Sequence, residues 1–495
     1  MMNEVRNKNT VKTILLYLAL CTAAFFNTIQ DICSPFSHSM NFGDGAIYQY
    51  IGKMILNGES PYKDAFDHKG PVLYFINAIS VVINEKTGIW LVDLAFMIIL
   101  YLATFSLCRK ICKKGMFTAA FLAIAVLSGT TNLYWIGNTP DFFALCIVMV
   151  ETYVLVDAYE HNKMSFQKAF IIGILISLCF WMKFTTIALA GIFCLGVLIA
   201  YAVAKDGKSV ANSIGGFLCG FLIVSFPIIL WLYSNGAMDD FFKDYVYFNL
   251  FYGKMERAGI SRLRALFYFI TDGNYVIAIC STIVYLFVRC KNKGFFKDSK
   301  KKQDYLFVVA IIALIIQTIV CIMPGRSYRQ YAAAYYPSFI ILISMATKEL
   351  VGYDTPEIKK VLKIAMAGVV GVLILPNAIK AIGYQSEFLP VQDRDKILEV
   401  IEPYSGEEIA VATPGECGLY IWNNCKSATT YPYVQADLGR DEDFWADYEK
   451  QLADKEPTII VWTNEFQIDD CIPNVVDKYE CIAKVNYLRV FKIKE

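Results

Sequence analysis

The stretch GPVLYFINAISVVIN, residues 70–84, decides how this chain is laid across a membrane. It is apolar, but its fifteen residues fall short of the roughly 20 needed to cross about 30 Å of hydrocarbon. Longer charge-poor runs lie on both sides of it. They centre on residues 12–32, 88–108, 116–133, 141–158, 167–183, 184–204, 209–233, 273–289, 304–323, 330–347 and 360–379. With 56% hydrophobic and 15% aromatic residues over 495, the chain is too apolar for one soluble domain. The pattern predicts an all-α polytopic membrane protein of about eleven transmembrane helices with amphipathic juxtamembrane helices.

Lys and Arg decide the role of 70–84. Setting it aside as a surface helix places CRKICKKG, EHNKMSFQK, AKDGKS, RCKNKGFFKDSKKKQ and TKELVGYDTPEIKK on one side, the longest with seven positive residues. NLYWIGNTPD and MPGRSYRQ then face the other side with few or none. Positive loops stay cytoplasmic, so the N-terminus is expected inside. Were 70–84 a span, every later loop would flip and the basic ones would face out. The opening run MMNEVRNKNTVKTILLYLALCTAAFF has no small-residue cleavage site and reads as a retained first helix.

This arrangement puts three regions outside: the first loop 34–87, the loop 234–272, and everything after about 381. Within the last, EEIAVATPG, TIIVWTN and YLRVFKIK read as strands and DEDFWADYEKQLADK as a helix. The expected organisation is a membrane domain, 1–380, and a small extracytoplasmic α/β domain, 381–495, in the plasma membrane.

The first loop carries NFGDGAIYQYIGKMILNGESPYKDAFDHKGP, residues 41–71. Ala46, Ile47, Tyr50, Ile51, Met54 and Ile55 follow helical spacing and Gly58 stops the helix, which is expected to lie flat with its apolar side in the acyl boundary. Asp44 at its start is either an N-cap or a working acid at headgroup depth. Lys69 precedes Pro71, which suits the first turn of the next helix. A lysine beside such a helix start can bind a lipid phosphate or simply snorkel to the headgroups. Lys183, in CFWMKFTTIA, occupies the tight outer turn between two spans, where a charge suggests a partner. Arg326, Tyr328 and Arg329, in MPGRSYRQYAAAYYP, offer planar phosphate recognition or headgroup anchoring. Asp141 is a second outer acid that also fits a helix start, and Asp93 has no assigned role. An acid, several cations and an apolar platform at one depth suit a substrate with a phosphate head and a lipid tail.

Most of the fifteen Cys lie in apolar helices, where Cys acts as a small hydrophobe. Cys417, Cys425, Cys471 and Cys481 do not, and the pairs 417/425 and 471/481 are either local disulfides or free thiols. With three His and no Cys-x-x-Cys, no metal ligand set and no cofactor is expected, and nothing indicates nucleic acid. The net charge of +1 hides the segregation of charge between loops.

FGDGAIY, SPYKDAFDHKGPVLYF, WMKFT and GRSYRQY followed by YP, in that order, resemble the polytopic lipid-linked glycosyltransferases of the GT-C superfamily. The nearest likeness is to bacterial relatives of dolichyl-phosphate-mannose protein mannosyltransferases and to aminoarabinose transferases, over residues 10–380. The resemblance implies transfer of a sugar, with inversion, from a polyprenyl-phosphate donor to a glycan, lipid or protein acceptor. It implies Asp44 as general base, Lys69 on the donor phosphate and Arg326 and Arg329 as further contacts. Tyr62, Asp67 and His68 in the first motif, Lys183 in the second and Tyr328 in the last are the accompanying substrate-binding candidates. Gly45 stands where many relatives carry an acid, and Gln330 where many carry His, which leaves metal use and acceptor open.

Displacement at an anomeric carbon passes through an oxocarbenium-like transition state. A phosphate departs without a general acid when cations stabilise its charge, so one carboxylate with Lys and Arg clamps is the expected constellation. A transporter would place its polar groups at the bilayer midplane in paired repeats, which this sequence lacks. A non-catalytic envelope-assembly protein, working through its outer domain, is the other alternative.

Overall fold

In a computed structural model of the chain, residues 2–29, 31–36, 40, 42–113, 115–128, 137–250, 262–271, 273–291, 296, 301–323, 328–351, 391–434 and 442–495 are described. Residues 70–84 form the helix Pro71–Ile83, opened by Pro71 in its first turn. At 13 residues it is about 20 Å long, too short to span. Val72, Leu73 and Tyr74 are buried, whereas Ile79, Val82 and Ile83 are exposed, as a helix at a lipid surface requires.

Among the described residues, six stretches are long and apolar enough to cross a membrane: Thr10–Thr28, Gly88–Cys112, Pro140–Glu160, Phe166–Val203, Gly207–Ser234 and Lys301–Ile322. Arg262–Ile270 with Tyr275–Lys291 makes a seventh if that pair, bent by 68°, is one span. The chain is a multi-pass membrane protein. Of the other expected spans, 360–379 and the boundary at 380/381 lie outside the described residues. The span expected at 116–133 is described as Met116–Ser128, and that at 330–347 opens as the 3-10 turn Arg329–Tyr335 before the helix Tyr336–Val351.

Phe166–Val203 is two helices, Phe166–Lys183 and Ile187–Val203, joined by the 3-10 turn Phe184–Thr186. The helix Gly207–Ser234 then lies along Phe166–Lys183. Gly216 and Gly220, four residues apart, let the backbones meet: a methyl at Gly220 would stand 2.0 Å from the Phe170 carbonyl oxygen. Small residues at this spacing are how helices associate where water exclusion gives no driving force. Higher up, Trp181 Nε1 donates to Ser225 Oγ at 2.8 Å, so the end carrying Lys183 is held by both packing and a buried hydrogen bond.

The C-terminal unit carries a five-stranded sheet of order β2-β1-β3-β5-β4, with β1 Glu408–Ala412, β2 Lys426–Ser427, β3 Ile459–Thr463, β4 Tyr479–Val485 and β5 Leu488–Ile493. β1 pairs parallel to β2 and β3, while β5 pairs antiparallel to β3 and β4. The helix Glu442–Lys455 packs Phe444, Trp445, Tyr448 and Leu452 into the core over β3, against Trp462. The three expected strands and the helix are present. β4 escaped the sequence reading because only its ends are buried, so it lacks an apolar run.

The helix Gly43–Leu56 corrects one expectation. Ala46, Ile47, Tyr50, Ile51 and Met54 are buried inside the protein and do not face the acyl boundary. Tyr50 stacks on Tyr420 of the C-terminal unit with ring centroids 4.3 Å apart, and Gly52 lies against Asn77 and Ala78 of the helix Pro71–Ile83. The helix is thus sandwiched between the C-terminal unit and the helix that follows it.

All four cysteines of the C-terminal unit are free, which removes the disulfide alternative. Cys417 Sγ donates to Pro432 O and Cys425 Sγ to Tyr404 O, so the two thiols point at different carbonyls. Mass spectrometry of unreduced digests is expected to find four alkylatable thiols. Native labelling should reach exposed Cys481 quickly and buried Cys417 only after unfolding.

Candidate active site

The first loop is built on a docked turn. Gly70 N–H donates to the Met182 carbonyl at 2.9 Å, and a methyl at Gly70 would lie 2.0 Å from the Trp181 carbonyl oxygen. Glycine is required because the loop backbone rests directly on the end of the helix Phe166–Lys183. This places Lys69 and Lys183, 114 positions apart in sequence, beside each other. Gly70→Ala must push that backbone away. It is expected to destabilise by about 1–3 kcal/mol as an overpacked site, and to cut turnover on the order of 10²-fold if the loop moves by about 1 Å. Gly115→Ala, where the methyl meets open space, is the matched control in thermal melting and turnover assays.

Contacts then run in a ring. Lys183 Nζ donates to both Asp141 oxygens at 2.8 Å and lies 4.4 Å from the Tyr331 ring centroid. Asp141 is in the first turn of the helix Pro140–Glu160, whose N-cap is Thr139; the Thr139 hydroxyl accepts from Phe142 N–H. The preceding residue, Asn138, sits at φ 47°, a left-handed conformation that Asn tolerates. Its side chain donates to the Gly45 carbonyl at 2.8 Å, exchanges amide hydrogen bonds with Asn77, and its N–H donates to Asp93 Oδ2. Asp93 therefore holds the turn before Asp141. Gly45 adjoins Asp44, whose Oδ2 accepts from Tyr48 Oη at 3.4 Å, and the Tyr48 ring lies 5.9 Å from Lys69 Nζ. Lys69 closes the ring.

Asp44 is exposed and occupies the first turn of its helix. The N-cap is Phe42, with no side-chain cap bond, so Asp44 is not the cap. Its charge still favours the helix N-terminus by about 0.3–1 kcal/mol.

Lys69 lies at the docked end of the loop. Burial lowers its pKa below the usual lysine value, against the opposing pull of Asp67 and Asp44. Its Nζ stands 2.5 Å from His68 Nε2. If Lys69 donates there, the imidazole proton is on Nδ1, which lies 3.5 Å from Asp67 Oδ1. Asp67 is 1% exposed and accepts from Tyr74 Oη at 2.6 Å and from Tyr433 Oη at 2.8 Å. Tyr62, at φ 72°, is buried and donates to the Lys69 carbonyl at 2.7 Å. Tyr62 and Asp67 thus frame the loop from within, whereas Asp44 opens to the exterior. Tyr328 is exposed and Arg329 begins the turn that carries Tyr331, while Arg326 lies outside the described residues.

A small apolar niche adjoins the ion pair, lined by Asp141, Ala144, Leu145, Val148, Thr186, Ala333, Ala334 and Pro337. Among the described residues, no cluster of three or more His, Cys, Asp or Glu side chains is arranged to hold a metal ion.

Residues 68–232 match the sequence family described as dolichyl-phosphate-mannose-protein mannosyltransferase. The structure superposes on ArnT from Cupriavidus metallidurans in the apo state with a TM-score of 0.61 at 12% identity, covering 98% of each chain. For the same protein bound to undecaprenyl phosphate the TM-score is 0.59 at 11% identity, covering 97% of this chain and 98% of that one. The chain shares the fold of ArnT over almost its whole length. The apo oligosaccharyltransferase of Archaeoglobus fulgidus is also similar, with a TM-score of 0.51 at 12% identity, covering 94% of this chain and 73% of that chain. No curated protein matches the sequence.

Within this fold the matched segment takes in Lys69, Asp141 and Lys183 but not Asp44. Tyr48, Asn138, Tyr331 and Tyr433 complete the site's frame and were not singled out from sequence. Asn138 carried the clearest signal, an Asn after Gly in GNTPD, where a left-handed residue is ordinary turn chemistry.

Proposed function

We propose that this chain is an inverting glycosyltransferase that moves a sugar from a polyprenyl-phosphate donor to an extracytoplasmic acceptor. The observation that carries the reading is the ring itself: an exposed carboxylate, Asp44, facing Lys69 across Tyr48, with the Lys183–Asp141 pair beside it. Asp44 takes the proton of the acceptor hydroxyl as its oxygen attacks the anomeric carbon. The bond to phosphate breaks, and Lys69 stabilises the charge that develops on the departing oxygen. Lys183, already paired with Asp141, keeps this end of the site polar and fixed, and Arg329 and Tyr328 are further donor contacts on the neighbouring turn.

The undecaprenyl phosphate bound by the similarly folded ArnT supports a donor of this class. The catalytic face belongs outside, with the basic loops inside and the membrane crossed eleven times. Tags inserted after Lys163 and after Glu465 are expected to be accessible from opposite sides of the membrane; access from the same side would overturn this topology.

The test is donor consumption. Purified protein in lipid, given a panel of polyprenyl-phosphate sugars and envelope extract, is expected to consume one of them with release of polyprenyl phosphate. Consumption of none, with the extract shown to hold acceptors, would reject the reading.

A further inference from the structure

The C-terminal unit grips the first loop on both sides of the site. Gly43 N–H donates to the Gly415 carbonyl at 2.7 Å, one residue before Asp44. Phe66 N–H donates to the Thr430 carbonyl at 2.7 Å, three residues before Lys69. Ser427 N–H donates to Tyr50 Oη at 2.7 Å, further along the helix from Asp44.

The bond between Tyr433 and Asp67 differs from these. It falls on a carboxylate that is almost wholly buried, and whose other oxygen takes the Tyr74 hydroxyl. Tyr74 Oη in turn accepts from the Lys69 backbone N–H at 3.3 Å. Asp67 therefore bridges the C-terminal unit and the helix Pro71–Ile83, and the short segment that aims Lys69 hangs between them. Charge-assisted bonds of this kind are roughly twice as strong as neutral ones, and burial raises the cost of losing one donor.

We infer that Tyr433 and Asp67 are positioning residues, through which the C-terminal unit holds the loop that presents Lys69 to the donor phosphate. The inference rests on the proposed role of Lys69. It gives the C-terminal unit a part in donor use, although the unit lies outside the matched sequence family segment. Tyr433→Phe removes one hydroxyl and keeps the ring, so the core around it stays filled. Asp67 then loses one of its two hydroxyl donors, while the Phe66–Thr430 contact and the Gly43–Gly415 contact beside Asp44 remain.

The experiment is backbone amide exchange on the full chain in lipid, combined with donor kinetics. Tyr433→Phe is expected to speed exchange at residues 66–70 by about tenfold while residues 43–48 keep their protection. KM for the polyprenyl-phosphate sugar should rise by a similar factor, with kcat changed much less. Asp67→Asn should show the same pattern, and the double variant should be less than additive, as for partners in one bond. Tyr50→Phe, which removes a hydroxyl at the same interface, is the control and should leave residues 66–70 and the donor KM unchanged. Wild-type exchange at 66–70 in Tyr433→Phe, the same effect in Tyr50→Phe, or faster exchange with an unchanged donor KM would each overturn the inference. Exchange is read on the protein alone, so a wild-type chain that consumes no donor refutes the proposed function while the exchange still decides whether Tyr433 holds the loop.

Discussion

Asp44→Asn is expected to lower sugar transfer by about 10²–10⁴-fold, the usual loss when a general base is removed. The same substitution should leave the fold nearly untouched. Asp44 is exposed and makes no cap bond, so Asn forfeits only a favourable charge at the helix start, about 0.3–1 kcal/mol. Donor binding should persist, because Lys69 and the Lys183–Asp141 pair are unchanged. Asp44→Glu keeps the base but extends it by one methylene; displacement on the order of 1 Å costs about 10²-fold. Near-normal transfer by the Asn variant would remove Asp44 as the base. Asp67 and Asp141 are then poor replacements, since one is held by Tyr74 and Tyr433 and the other by Lys183.

Lys69→Ala is expected to cut kcat/KM for the donor by about 10²–10³-fold, the scale of losing one group that stabilises developing anionic charge. The pH profile carries a second signature. Burial lowers the Lys69 pKa, and only protonated Lys69 can serve the phosphate, so kcat/KM should decline on the alkaline side at a pH below the ordinary lysine range. Stability runs the other way. Between the lowered folded value and the unfolded value of 10.5 the unfolded chain holds a proton that the folded chain has released, so this group's contribution rises with pH across that window. Lys69→Met, of similar length and uncharged, should therefore melt no lower than wild type near neutral pH while losing donor use. Thermal melts and kcat/KM measured across the same pH series check both halves; a Met variant with wild-type donor kinetics would reassign Lys69 to headgroup contact.

The helix Pro71–Ile83 was legible because length and loop charge constrain it independently of packing. Lys69 and Lys183 were legible as types, cations at the edges of apolar runs. What brings them together was not legible, because it is a backbone contact between Gly70 and Met182, and backbone contacts leave no side-chain pattern. The helix Gly43–Leu56 shows the opposite failure. Its apolar face was read correctly, but periodicity says only that a face is covered, and here the cover is Tyr420 and the helix Pro71–Ile83, not lipid. Asp67 entered as a substrate-binding candidate through the resemblance of its motif. Its partners, Tyr74 and Tyr433, show how a buried carboxylate can sit in a reactive motif and hold the frame.

The most direct test of the central claim compares wild type with Asp44→Asn, each loaded with the polyprenyl-phosphate sugar identified by the consumption panel and then given envelope extract. Native mass spectrometry follows the bound lipid. Wild type is expected to lose the intact donor and release polyprenyl phosphate, while Asp44→Asn keeps the intact donor bound over the same time. Equal donor loss by both proteins, or no binding of any polyprenyl-phosphate sugar by wild type, would contradict the account.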